Sequence, residues 1–186
     1  GTGTVVLDAN GANSDIVLTS GIQSTSGDIT LTADDSVTAG ANGDITSTSG
    51  NVSVTADATG SISATDGDTG EVITMDDAAL FNAGSGRISL SAEGNITLGG
   101  LQTTSAAAGA PSAVSITSED GAVVDGGDTF VDIVANTAGA RTTIDAETGV
   151  GSGNALETTV AELDVTNNAT GDIDIDETND IKIVNA

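Results

Sequence analysis

Between residues 27 and 65 the chain restarts one short phrase: GDITLTADDSVTAGANGDITSTSGNVSVTADATGSISAT. Each phrase runs from glycine to a small polar residue, then Ile or Val, then Thr and Ser. Taking the Ile or Val as a beat, beats fall at Ile29, Val37, Ile45, Val52, Ile62, Val72, Leu80, Ile88 and Ile96. Their spacing averages about 8 residues, so two beats take about 17, in the short-period range of solenoids. A second small or apolar residue usually follows two places on, as in Ile29/Leu31, Val52/Val54, Ile62/Ala64, Ile88/Leu90, Ile96/Leu98 and Val114/Ile116. Period two puts each pair on one face of a strand and the Thr or Ser between them on the other.

A strand this short, with one apolar pair, is not stable alone. Coiled so that each strand stacks on its equivalent in the next turn, the pairs merge into an aliphatic column. Each inward Ile or Val then gains about 1.5–3 kcal/mol by burial, and backbone groups find partners one rung away. The predicted fold class is therefore all-β, a parallel β-helix with irregular rungs and with Ile29, Ile45, Ile62, Ile88 and Ile96 inside. Glycine or Asn before each strand is expected to supply a positive-φ turn. About 9–11 rungs at about 4.8 Å would give a length of about 40–55 Å. The competing architecture, a pair of β-sandwiches, uses longer strands and usually buries an aromatic or two per domain.

The second half is less regular. Strands are expected at 114–117, 122–125, 130–134, 141–145, 163–165, 173–175 and 181–183. Leu156, Val160 and Leu163 recur at helical spacing, and Asn154 with Glu157 resembles an N-cap pair. That predicts one short helix at about 155–162.

Composition narrows the core. Hydrophobic residues make up 37% of the 186, but the only aromatics are Phe81 and Phe130, both expected to be buried. The core must therefore be thin and repeated along an axis. The 25 glycines and the abundant Thr, Ser, Asp and Asn fit short strands joined by tight turns. The formal net charge is −25, with Arg87, Arg141 and Lys182 the only cations. A basic stripe for phosphates is absent, so nucleic acid is not an expected partner, and an anionic lipid surface is disfavoured. No run of apolar residues is long enough to span a bilayer as a helix. The opening GTGTVVLDAN reads as the middle of something, so residues 1–186 are expected to be one β-helical module of a longer chain.

The linear order of parts resembles the repeat modules of giant secreted bacterial exoproteins of the filamentous haemagglutinin type. GDITL-type rungs are followed by GNITLGGLQTT, then by GVGSGNALETTVAELDVTN leading into GDIDIDETNDIKI. The resemblance covers essentially the whole chain and rests on order, since GDI-type strands occur in many solenoids. It implies a right-handed β-helical rod, secretion by the two-partner or a related route, and an extracellular or cell-surface role in adhesion, biofilm or surface fibres. Neither that family's secretion domain nor a receptor-binding motif is visible in these residues.

Candidate chemistry is sparse. With no His and no Cys, the commonest acid–base and thiol groups are missing. Three basic residues and two Phe do not make a lyase or sugar groove, so no catalytic residue and no enzyme activity are expected. No cofactor is expected beyond weakly bound Ca²⁺. In DIDIDE, Asp172, Asp174 and Asp176 alternate with Ile173 and Ile175, which would place the carboxylates about 7 Å apart on one face. These three are the candidate Ca²⁺ ligands, against the alternative of a solvated acidic edge. Asp34/Asp35, Asp66/Asp68, Asp76/Asp77 and Glu119/Asp120 are placed at turns, and GGDTF at 126–130 is too isolated for a calcium β-roll. Outward Thr30/Thr32, Thr46/Thr48, Ser53/Thr55, Ser63/Thr65 and Ser115/Thr117 could form a hydroxyl ladder like those of ice-binding solenoids, although Thr and Ser simply suit exposed strands.

The expected function is that of a structural rod module, stacked end to end with copies of itself and displaying sites for cell-surface or matrix glycans or proteins. The alternatives are a Ca²⁺-dependent adhesive β-sandwich module, an ice-binding solenoid and a carbohydrate-active β-helix enzyme.

Overall fold

The computed structural model describes residues 1–11, 13–57 and 71–185. Among these residues the regular structure is all strand, stacked in parallel as a β-solenoid of about 7 turns. The first turn is β1 (Val5–Ala9), β2 (Ile16–Leu18) and β3 (Ile22–Ser24). The second is β4 (Ile29–Ala33), β5 (Val37–Ala39) and β6 (Ile45–Ser47); the third is β7 (Val52–Ala56), β8 (Ile73–Met75) and β9 (Leu80–Gly84). Next come β10 (Ile88–Ala92), β11 (Ile96–Leu98) and β12 (Gly100–Thr103), then β13 (Val114–Ser118), β14 (Val123–Asp125) and β15 (Ile133–Ala135). The sixth turn has β16 (Arg141–Ala146) and β17 (Leu156–Val160), with Val150 a single bridge between them. The seventh has β18 (Glu162–Asn167), the bridge residue Ile173 and β19 (Ile175–Glu177), and β20 (Lys182–Asn185) follows.

First strands of successive turns form an eight-stranded sheet, second strands a five-stranded one and third strands a seven-stranded one. Three strands, not two beats, therefore complete a turn. At about 4.8 Å per rung the stack is about 34 Å long, shorter than the sequence suggests. Register follows the apolar pairs. Leu7, Leu31, Val54, Leu90, Ile116, Ile144 and Val165 stack one above another as an unbroken aliphatic column. Ile29, Ile45, Ile88 and Ile96 are fully buried, as expected; Ile62, Ala64, Ser63/Thr65 and Asp66/Asp68 lie outside the described residues.

Several expectations are corrected. Residues 155–162 are not helical: Leu156, Thr158 and Val160 point inward and Glu157 and Thr159 outward, in β17. The i, i+4 spacing of Leu156 and Val160 serves a strand as well as a helix, and β-branched Thr158, Thr159 and Val160 favour the strand. Pairing on both sides, with Ile133–Ala135 and Ile175–Glu177, settles it. At two beats the phase slips by one residue. Ile73 and Phe81 are buried, whereas Val72 and Leu80 lie on the other face. Phe130 is 37% exposed, because the strand begins at Ile133, past it.

The repeated STSG phrase has a steric cause rather than the expected positive φ. A Cβ on Gly27, Gly50 or Gly86 would sit 2.2, 2.2 or 2.1 Å from the carbonyl oxygen of Gly3, Gly27 or Gly50, respectively, in the rung before. The rungs touch backbone to backbone at this corner, so only glycine fits. At Gly27 and Gly50 the inward Ser three places earlier completes the corner. Ser24 Oγ accepts from Gly27 N–H at 3.0 Å and donates to Gly3 carbonyl oxygen at 2.9 Å, and Ser47 repeats the arrangement on Gly50 and Gly27.

Candidate functional site

Many acidic and amide side chains just ahead of strands bond to the backbone of a neighbouring rung. Asp28 Oδ1 accepts the Asn51 N–H at 2.7 Å, and Asn51 Oδ1 accepts the Arg87 N–H at 2.9 Å. Asp15, Asp44 and Asn95 do the same for Ser36, Leu80 and Ala122. A parallel coil turns sharply at its corners, where strand pairing lapses and an N–H needs another acceptor. Asp and Asn are short enough to supply one. The GD and GN of the repeated phrase are thus corner acceptors.

Asp132, ahead of Ile133, carries the same device into a different setting. Its Oδ2 accepts the Glu157 N–H at 2.9 Å. Its side chain is fully buried, and its Oδ1 has no hydrogen-bond partner. Burial, then the adjacent Asp125 carboxylate, push its carboxyl up to about 8.

Asp125, Asp128 and Glu157 close over this position. Each offers a carboxylate oxygen, and the three oxygens lie within 4.8 Å of one another. Asp125 ends β14 and is itself buried; Asp128 is exposed in the connection to β15, and Glu157 lies on β17 of the next turn. Asp125 is held by the Gly127 N–H at 2.6 Å and by the Asn154 side-chain amide. The connection is pinned by Asp77 two turns back, whose Oδ1 accepts the Thr129 N–H at 2.9 Å. Gly127 has φ +141°, and a Cβ there would meet the Asp77 carboxylate at 2.8 Å, so this path needs glycine. Burial, then Asp125 and Asp128, raise the Glu157 carboxyl above its usual range, and Glu157 Oε2 is buried without a partner. Beside this corner Phe130 and Val131 cover Leu80, Gln102 and Val134, a small apolar surface on the third sheet.

A second acidic corner joins Glu71 and Glu93. A hydrogen bond with Glu71, then burial, then the charges of Glu71, Asp57 and Asp120 push the Glu93 carboxyl up to about 7. Cations cluster elsewhere: Arg141 and Lys182 flank Glu162 at 3.4 and 2.8 Å on the outer face of the first sheet. Among the described residues, no ion pair reaches Asp125, Asp128, Asp132 or Glu157.

Asp172, Asp174 and Asp176, the candidates from sequence, are all exposed on the seventh turn. The Asp172 and Asp174 backbone carbonyls accept the Val150 and Leu156 N–H groups at 2.9 and 3.1 Å. Asp176 is in register with Glu157 and adds to the negative charge there. The compact acidic group is thus centred on Asp125, Asp128 and Glu157. The signal for it lay in VDGGDTFVDI, where Asp125, Asp128 and Asp132 fall in one strand–turn–strand unit. The expected hydroxyl ladder is present in part: Thr30/Thr32, Ser53/Thr55, Ser89/Ser91 and Ser115/Thr117 stack in register on the first sheet. Thr46 is on the third sheet, in register with Gln23 and Asn82, so the ladder does not continue there, while single threonines Thr38, Thr74 and Thr97 stack on the second sheet.

No family model matches the chain, and no curated protein or solved structure matches it.

Proposed function

We propose that this chain is a non-catalytic structural rod module of an extracellular adhesin, surface fibre or biofilm filament, of the filamentous haemagglutinin-like kind. The observation that carries the reading is the unbroken aliphatic column from Leu7 to Val165. It fills the inside of the coil with side chains, and rung-on-rung pairing resists bending and lets length grow by adding turns. Across β4, β7, β10 and β13 the outer face of the first sheet offers short hydroxyls rather than the aromatic and basic side chains of a sugar-processing groove.

The outermost rungs support end-to-end stacking as the mode of assembly. Leu7 on β1 and Ile183 on β20, in line with buried Leu31 and Leu163, are 37% and 52% exposed. Both rungs carry strand backbone able to pair with a further rung. The partner of each is another rung of the same kind, in the same polypeptide or in another copy, and the contact is heterologous and open-ended. Surface glycans or matrix proteins are then met along the sides.

Electron microscopy and sedimentation of the purified chain test this assembly. Thin unbranched particles should lengthen with concentration, in steps of about 34 Å. Leu7→Asp combined with Ile183→Asp should leave single folded units. Compact monomers at every concentration would contradict the stacking, and turnover of a polysaccharide would contradict the non-catalytic reading.

A further inference from the structure

We propose that the corner formed by Asp125, Asp128 and Glu157, backed by Asp132, is a Ca²⁺ site that ties the fifth turn of the solenoid to the sixth. Two oxygens bound to one Ca²⁺ at about 2.3–2.6 Å can be at most about 4.6–5.2 Å apart. The three carboxylate oxygens, all within 4.8 Å of one another, therefore suit a single ion. Mg²⁺ binds at about 2.0–2.1 Å, demands near-ideal octahedral geometry and gives up its waters reluctantly, so it fits less well. The donors are all hard oxygens, with no imidazole or thiolate in the chain to favour a transition metal.

A cluster of surface acids would not require an ion, but this one has a buried member. Asp132 is fully buried, faces Asp125 and keeps Oδ1 without a partner, and Glu157 Oε2 is likewise buried and unpartnered. Buried acceptors normally have partners, and Asp125, Asp128 and Glu157 have no basic partner among the described residues. Backbone and amide donors already orient the first carboxylate: the Gly127 N–H and the Asn154 amide hold Asp125. The Glu157 N–H fixes Asp132 behind it. Asp125 and Asp128 come from the fifth turn and Glu157 from the sixth, so an ion here bridges the two rungs beside their strand pairing and the Asn154 and Asp132 hydrogen bonds. The site does not depend on the rod reading, since a solenoid with any role could use it.

Ca²⁺ titration of the whole chain by calorimetry, in about 0.5 M NaCl to suppress general screening, tests the site. One saturable Ca²⁺ per chain is expected, with Mg²⁺ at least about tenfold weaker. Asp128→Asn and Glu157→Gln should each weaken binding at least about tenfold, while Asp172→Asn with Asp174→Asn leaves it unchanged. Asp128 is exposed and its variant should fold, as circular dichroism will verify. At one Ca²⁺ concentration the melting temperature of the parent chain should rise more than that of Asp128→Asn. Absence of saturable binding in high salt, binding indifferent to Asp128→Asn and Glu157→Gln, or loss of binding on changing Asp172 and Asp174 would overturn the proposal.

Discussion

The corners before Ile29 and before Ile133 use one local device and reach opposite electrostatic outcomes. At both, an Asp just ahead of a strand accepts an N–H from the next turn: Asn51 for Asp28 at 2.7 Å, Glu157 for Asp132 at 2.9 Å. Asp28 is exposed, so water solvates the rest of its carboxylate. Asp132 is fully buried, and its neighbours Asp125 and Glu157 are acids. What a corner acid does is thus decided by the length and path of the connection that covers it. In GDITL the connection is tight and leaves the acid in water; in DGGDTFVDI it folds back over the acid and brings Asp125 and Asp128 with it.

The columns under the two corners should respond alike. Ile29→Asp and Ile133→Asp each bury an unpaired charge in the coil, and each should cost more than about 4 kcal/mol or prevent folding. Thr30→Asp, on the outer face, should cost less than about 0.5 kcal/mol. Thermal melts compare the three; a mild Ile133→Asp would mean that the two regions differ in their core and not only in their corners. Gly50→Ala should follow in size, at about 2–4 kcal/mol, because its Cβ would collide with the Gly27 carbonyl 2.2 Å away. Gly109→Ala, with nothing within 4 Å, is its control. Equal melting temperatures for the two alanine variants would remove the steric reason for the STSG repeat.

The acids themselves should diverge. In chelator at neutral pH, Asp132→Asn should raise stability by about 1–3 kcal/mol. The amide keeps an oxygen for the Glu157 N–H and faces Asp125 with a donor in place of a carboxyl. Asp28→Asn should change it by less than about 0.5 kcal/mol, since Asn51 fills the equivalent position one rung on. A smaller effect is expected from Glu93, whose carboxyl binds its proton more tightly in the folded chain than its ordinary 4.5, up to about 7. A carboxyl raised by folding contributes stability that is complete below about 4.5 and is lost as pH rises through about 7. Glu93→Gln should flatten that part of the stability–pH curve, read from denaturant melts between those limits. An unchanged slope would mean that the Glu71–Glu93 pairing does not persist in solution.

Much of the coil was legible because period two is unambiguous where an apolar residue is flanked by polar ones. Ile29/Leu31, Val52/Val54 and Ile88/Leu90 are inward for that reason. Where two apolar residues adjoin, as in Val72–Ile73 and Leu80–Phe81, alternation does not choose a phase, and a one-residue slip exchanges the faces. Beat spacing likewise does not say how many sides a turn has, which is why three strands per turn emerged only from the pairing. Leu156 and Val160 satisfy both helical and strand spacing, so the choice for β17 lay with its partners, far away in sequence. The acidic corner was hidden for the same reason. Asp125 and Glu157 meet only because one turn separates them, while the alternation in DIDIDE drew attention to exposed Asp172, Asp174 and Asp176.

The central claim is that acidic corner residues bond across rungs in the same way at both sites, whatever surrounds them. Scalar coupling through the hydrogen bond, from an amide nitrogen to a side-chain carboxyl carbon, reads this directly by nuclear magnetic resonance on the labelled 17.9 kDa chain. Couplings should appear from the Asn51 nitrogen to the Asp28 carboxyl carbon and from the Glu157 nitrogen to that of Asp132. Absence of both, in spectra where the backbone couplings of the sheets are resolved, would contradict the account.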